Sequence, residues 1–315
     1  MEILFTAPER AWGGLLDNLR EALPEHRISA SGHFGADSLA GVEVLIPTMA
    51  SVDRALLASA DRLRLIQQCG VGLEGIDLAA ARERAIPVAN VPSDVSGNAD
   101  SVAELGIYLM VGLSRDVRAM AASLAYRVVG SPAGRSLAGK TVGLVGLGGI
   151  GTALARRLVA FDVRLIAVRR DPRKPPPKLP LAWIGGADDL PRLLAEADYT
   201  VLCLPVDEPN RHLLDRERLA LMKPGAYLVN LGRGGLVDRE ALAAALASGR
   251  LAGAGLDVFW EEPPDPADPI FQYNVLATPH VGGATDVAIA GIREAVVENI
   301  RRLDRGEAPL YQRLP

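Results

Sequence analysis

The chain has 315 residues, enough for two domains at roughly 100–200 residues each. Hydrophobic residues make up 49% and charged residues 23%, a balance that supplies ordinary soluble cores and excludes a disordered or fibrous chain. With 34 basic and 38 acidic side chains the net charge is −4, which argues against a nucleic-acid or anionic-membrane partner.

The cysteines and the N-terminus narrow the setting. Cys69 and Cys203 are the two thiols, too few for a disulfide framework, and both lie in apolar strand contexts that read as packing. The opening MEILFTAPER lacks a basic segment followed by an apolar run, so no secretory signal is expected. No apolar stretch reaches the roughly 18 residues of a membrane span. A soluble, cytoplasmic protein is the expectation.

In chain order, short aliphatic runs over 1–5, 42–46, 63–67, 141–145, 163–168, 199–204, 226–231 and 253–258 read as strands. They are apolar on both faces and bounded by Gly, Pro or Asp, the pattern of a buried parallel sheet. Helix-patterned segments alternate with them, which predicts an α/β fold with right-handed crossovers. Two long helices are expected. The first covers about 99–125, with Val102, Leu105, Leu109 and Leu113 at helical spacing, and the second about 286–304, with Ile292, Val296, Ile300 and Leu303 on one face. Pro175, Pro176 and Pro177 read as a surface loop.

The strand at 141–145 runs directly into Gly146-Leu-Gly148-Gly-Ile-Gly151 and then a helix pattern at 152–160. A G-x-G-x-x-G between strand and helix is the dinucleotide fingerprint. Gly146 permits the tight turn, Gly148 lets the backbone approach a pyrophosphate, and Gly151 allows close helix–strand packing. The helix N-terminus offers N–H groups to the phosphates. At the end of the next strand, where NAD-binding chains place a carboxylate, stand Arg169 and Arg170. Guanidinium groups pair with a ribose 2′-phosphate, so NADP(H) is expected over NAD(H), with NAD(H) still possible. The alternative is that both arginines are solvated loop charges. Asp171 is acidic but lies two residues late.

Further along come Lys223-Pro-Gly-Ala-Tyr-Leu-Val-Asn230-Leu-Gly-Arg233-Gly-Gly-Leu-Val-Asp238, then Leu256-Asp257-Val-Phe-Trp-Glu-Glu262-Pro, then Thr278-Pro-His280-Val-Gly-Gly-Ala-Thr285. With Gly70-Val-Gly72, Ile76-Asp77-Leu78 and Ser101-Val-Ala-Glu104 before them, these blocks resemble the D-isomer-specific 2-hydroxyacid dehydrogenases over nearly the whole length. The resemblance implies two doubly wound parallel-sheet domains. A Rossmann cofactor domain would span 98–286, and a discontinuous flavodoxin-like substrate domain would comprise 1–97 and 287–315. It also implies a homodimer with the 99–125 helix as the contact.

Reduction of a 2-keto acid needs a hydride donor, a proton donor and a cation for the carboxylate. His280 follows an apolar strand beside a Gly-rich turn, unlike His26, His33 and His212 in polar stretches. From position alone it is as readily structural, and the resemblance makes it the acid/base. The resemblance also selects Glu262 over Glu261 as its orienting partner, and assigns Arg233 to the substrate's carboxylate and ketone. The plain alternatives are a solvated carboxylate at 262 and a turn cation at 233. Asp257 would bond the nicotinamide amide, its alternative being a turn cap. Glycines beside Arg233 would let the backbone approach a ligand, and Asn230 would tie that loop.

The implied cofactor contacts are Gly146, Gly148, Gly149, Ile150, Gly151, Arg169, Arg170, Leu204, Pro205 and Asp257. Val71 and Gly72 would join Arg233 and His280 on the substrate, glyoxylate and hydroxypyruvate being the first guesses, and Trp12 or Trp260 would wall its pocket. No metal is expected. Two departures from the family pattern, Leu73-Glu74-Gly75 and Ala99, bear on which substrate is used. Two other readings keep the fold: a dehydrogenase of formate or phosphite, and a non-catalytic corepressor that senses a dinucleotide.

Overall fold

The computed structural model describes residues 1–174 and 177–314, so the reading of Pro175 and Pro176 as part of a surface loop lies outside the described residues. The chain divides into one unit of Met1–Asn98 with Gly283–Pro315 and a second of Ala99–Gly282.

The first unit opens with strands β1 (Glu2–Phe5), β2 (Arg27–Ala30), β3 (Val44–Ile46), β4 (Leu65–Gln67) and β5 (Val88–Ala89). The second unit holds β6 (Thr141–Val145), β7 (Arg164–Val168), β8 (Leu181–Gly185), β9 (Tyr199–Leu202), β10 (Ala226–Asn230), β11 (Leu251–Leu256) and β12 (Val275–Ala277). β13 (Gln312–Leu314) returns to the first unit.

The first unit's sheet has the order β13-β5-β4-β3-β1-β2, parallel except for β13, which runs antiparallel to β5 at an edge. That is the flavodoxin-like order with an added edge strand. The helix Asp286–Asp304 packs Val296, Val297 and Ile300 onto Ile3, Phe5 and Leu65. Thr285 starts it by accepting the Ala288 N–H, and Gly306, at φ +71°, lies just past its end. Asn299 on that helix is fully buried, donates to Gln67 Oε1 at 2.6 Å and accepts the Leu310 N–H at 2.6 Å. This polar pair fastens the segment leading into β13 to the sheet.

The second unit's sheet has the parallel order β12-β11-β10-β9-β6-β7-β8, the dinucleotide-binding order extended by one strand. Its strands alternate between two cores. Val142, Leu144, Leu165, Ala167, Val201 and Val229 face one side, while Val145, Ile166, Val168, Leu202, Leu228 and Leu256 face the other. Burial on both faces is why these runs read as continuously apolar.

The structure corrects the expectation of one helix over 99–125. Two helices occupy it, Asn98–Arg115 and Val117–Ala125. Asp116 breaks the path in a left-handed conformation, φ +53°, and its carboxylate accepts the Ala119 N–H to start the second helix. Asp tolerates that region because its short side chain finds a local donor.

Replacing Asn299 by Ala should leave Gln67 and the Leu310 N–H without their buried partner. We expect a loss of about 2 kcal/mol in unfolding free energy, measured by urea denaturation with intact secondary structure by circular dichroism.

Candidate active site

In the second unit a parallel sheet places every strand's exit on one edge, and the sequence-predicted residues lie there. Gly146 follows β6, Arg169 and Arg170 follow β7, Leu204 and Pro205 lie just beyond β9, Arg233 follows β10, Asp257 follows β11 and His280 follows β12. β6 is where the strand order reverses, β7 lying on one side and β9 on the other. Open α/β sheets bind ligands outside the carboxyl ends at that point.

The turn after β6 has the shape a pyrophosphate requires. Gly146 has φ +100°, and a Cβ there would lie 2.7 Å from the Cys203 carbonyl oxygen. A Cβ on Gly151 would lie 2.1 Å from the Gly146 oxygen, so that position admits only glycine. Gly148, by contrast, faces open space within 4 Å and caps the helix Gly149–Leu158. A tight turn, an accessible backbone and a helix N-terminus that includes Gly149 and Ile150 fit a dinucleotide phosphate. A cavity of about 330 Å³ beyond β7 is lined by Arg169, Pro172, Pro177, Leu179, Leu181 and Ile184. Its apolar wall comes largely from β8 and the approach to it, and sequence reasoning missed this strand because its side chains are mostly half-exposed rather than buried.

Arg169 donates to the carbonyls of Pro172 and Lys174, and Arg170 pairs with Asp207 at 2.8 Å, both groups being exposed. Asp171 is turned to Arg173, whose guanidinium holds its carboxyl below the ordinary range. Leu204 is half-buried and Pro205 exposed. The two thiols are buried, and burial pushes both up to about 12, so they are packing groups rather than nucleophiles.

Three of the predicted groups converge. His280 Nδ1 lies 2.7 Å from Glu262 Oε2, with 30% and 15% of the two side chains exposed. Burial alone would raise the Glu262 carboxyl. The His280 hydrogen bond and charge, the Phe259 N–H and the field of Arg233 outweigh it and hold the group below its ordinary value. An ionised carboxylate only accepts, so the hydrogen of this pair sits on Nδ1. Proton exchange with any other molecule then falls to Nε2.

Arg233 lies in the turn after β10, and Asn230 holds that turn by accepting the Gly232 N–H and donating to the Arg233 carbonyl. The neighbouring glycines are needed for close packing of the chain on itself. Cβ atoms on Gly232 and Gly234 would fall 2.4 Å from the Leu204 oxygen and 2.0 Å from the Phe259 oxygen, so protein backbone fills the side-chain space at both positions.

Asp257 is 3% exposed and accepts Thr278 Oγ1–H at 2.7 Å and the N–H groups of Val281 and Gly282, both at 2.9 Å. It caps the turn that carries His280, the alternative the residues left open. Burial pushes its carboxyl up, and these bonds with the His280 charge oppose that rise. Thr278, which sequence reasoning passed over, belongs to this group. Trp260 donates to the Val237 carbonyl and packs on the second unit's core, and Trp12 packs on the first unit's core.

Val71 and Gly72 belong to the first unit, just beyond β4, where the Val71 carbonyl accepts Asn90 Nδ2–H at 2.7 Å. Among the described residues no helix is long and apolar enough to cross a membrane. The one described cluster with metal-ligand spacing is Glu25, His26 and Asp304, in the first unit.

Residues 107–282 match the family described as D-isomer specific 2-hydroxyacid dehydrogenase, NAD binding domain. A hydroxypyruvate reductase of Thermotoga maritima is 39% identical over 267 residues, covering 82% of this chain and 84% of that protein. A D-3-phosphoglycerate dehydrogenase of Methanocaldococcus jannaschii is 38% identical over 258 residues, 81% of this chain but 48% of that protein. Among solved structures, the TT0316 protein of Thermus thermophilus aligns over 100% of both chains with a TM-score of 0.83 and 34% identity.

The lowered Glu262 carboxyl carries a pH prediction. Its value in the folded chain lies below the unfolded value near 4.5, so the ionised Glu262 carboxylate stabilises the fold at neutral pH and that contribution disappears as pH falls through the folded value. Melting temperatures of wild type and Glu262→Gln between pH 7 and pH 3 should differ most at neutral pH and converge on acidification.

Proposed function

Because the chain belongs to the D-isomer-specific 2-hydroxyacid dehydrogenases, we propose that it reduces a small 2-keto acid of the glyoxylate or hydroxypyruvate class to the D-2-hydroxy acid. The observation that carries the reading is the 2.7 Å bond between His280 and Glu262, within the field of Arg233, beyond the carboxyl ends of β11 and β12.

A nicotinamide cofactor supplies the hydride for C2 when bound. Arg233 pairs with the substrate carboxylate and draws charge from the carbonyl oxygen, a task suited to a planar fork of donors. His280 delivers a proton from Nε2 to that oxygen. Glu262 keeps the ring oriented and stabilises the imidazolium until the proton leaves. With its side chain 30% exposed, His280 regains a proton from solvent, and the reverse reaction runs the same transfer backward.

NADP(H) is the proposed cofactor, with NAD(H) accepted less well. The support is the absence of a carboxylate at the end of β7 and the place of Arg169 in the wall of the cavity. The Arg170–Asp207 pair is exposed, and such pairs yield at a cost of roughly 0–1 kcal/mol. A homodimer is proposed on the helix Val117–Ala125 and the turn after it, where Leu124 is 81% and Val129 97% exposed. The cytoplasm, where dinucleotides and reduced thiols coexist, is the proposed compartment.

Reduction of glyoxylate, hydroxypyruvate, pyruvate and phenylpyruvate with NADPH and NADH side by side, with 3-phosphoglycerate in the oxidative direction, tests both proposals. We expect turnover on the two smallest polar keto acids and a higher kcat/KM with NADPH; a clear NADH preference would remove the role given to Arg169 and Arg170. His280→Ala should lower kcat by about 10²–10⁴-fold with cofactor affinity retained, measured by stopped-flow and fluorescence titration.

A further inference from the structure

We propose that Thr278 is a positioning residue for the acid/base, acting through the carboxylate of Asp257 to set the backbone of His280. This rests on the reading of His280 as the proton donor.

His280 is a non-glycine residue at φ +54°, a left-handed conformation that L residues rarely adopt and that persists only where the surroundings enforce it. The enforcement is visible. The Thr278 N–H makes the last ladder-type bond, to the Leu256 carbonyl at 2.9 Å, and Pro279 has no N–H to contribute. The His280 N–H turns back to the Thr278 carbonyl at 3.0 Å. The turn then closes on Asp257 from both ends, with the Thr278 hydroxyl at 2.7 Å before His280 and the N–H groups of Val281 and Gly282 at 2.9 Å after it. A Cβ on Gly282 would lie 2.7 Å from Asp257 Oδ2, so the far end of the turn is already as close as glycine allows.

The near end is tied to Asp257 by one side-chain bond. Oδ1 takes two donors, Thr278 and Val281, and Oδ2 takes Gly282. Without the hydroxyl, Oδ1 keeps the Val281 bond alone, and Asp257 grips the turn only after His280, leaving the near side to the backbone bond from Thr278 to Leu256. The backbone at Pro279 and His280 then loses its side-chain tether, and the ring shifts while Glu262 still grips Nδ1. A proton donor misplaced by about 1 Å loses on the order of a hundredfold in rate, whereas substrate and cofactor contacts made elsewhere are untouched. An Asp257 that served the cofactor directly would instead show its loss in cofactor affinity.

The test is a set of substitutions at one position. Thr278→Val keeps the volume and deletes the hydroxyl, Thr278→Ala deletes it without a second methyl, and Thr278→Ser keeps it. We expect the valine and alanine variants to lose about 10–100-fold in kcat, with keto-acid KM and cofactor dissociation constant within about twofold of wild type, and serine to recover kcat within about threefold. Cofactor dissociation is read in the absence of keto acid, by quenching of protein fluorescence with NADPH, and folding by melting curves. If valine does not fold, the alanine–serine contrast decides. Wild-type kcat in the hydroxyl-less variants, a serine variant as slow as alanine, or cofactor affinity falling in step with kcat would each overturn the inference. His280→Ala run in parallel separates the two levels. Full turnover there defeats the assignment of His280, whereas a dead His280→Ala beside an active Thr278→Ala defeats only the role of Thr278.

Discussion

A carboxylate that is 3% exposed must be hydrogen-bonded or uncharged, and Asp257 meets that demand with donors from residues 278, 281 and 282. The same bonds make the turn that bears His280. Asp257 is itself anchored through its N–H to the Asn230 carbonyl at 3.2 Å, and the Asn230 side chain holds the loop of Arg233. The exits of β10, β11 and β12 are thus joined by buried polar groups, and the proposed cation and proton donor inherit their positions from that chain of bonds. Fully satisfied polar networks in a low dielectric are stiff, which is what a proton-transfer geometry needs.

The parallel sheet supplies the other half of the arrangement. Every strand in the second unit runs the same way, so residues separated by more than a hundred positions, Gly146 and His280 among them, leave the sheet on one edge. Glycines then divide by what approaches them. Gly146, Gly151, Gly232 and Gly234 are crowded by protein backbone, and Gly148 in the phosphate turn opens outward. Position in the motif does not distinguish these roles; proximity does.

Much of this was legible in the order of residues. The runs at 141–145 and 226–231 read as strands because burial on both faces demands continuous apolar side chains, and the helix at Asp286–Asp304 read correctly because its apolar face repeats at helical spacing. β2, β5, β8 and β13 escaped. They are edge or two- to five-residue strands, β2 and β13 partly polar, and their existence depends on a neighbour offering a ladder rather than on a pattern of their own. The break at Asp116 escaped for a related reason, since a helical periodicity continues across it and only the bond to the Ala119 N–H reveals the turn.

Local chemistry, then, is written in the chain: the glycine fingerprint after an apolar strand and the two thiols bound for packing are properties of residue types at short spacing, whereas His280 and Glu262 stood out only through the resemblance to a family. Which partners those residues meet is not written there. Glu262 and His280 stand 18 positions apart and touch because β11 and β12 are neighbours. Asp257 turned out to hold a turn, and Thr278 to belong with it, because hydrogen bonding is directional over about 3 Å, and such distances are set by packing of the whole sheet rather than by any stretch of sequence.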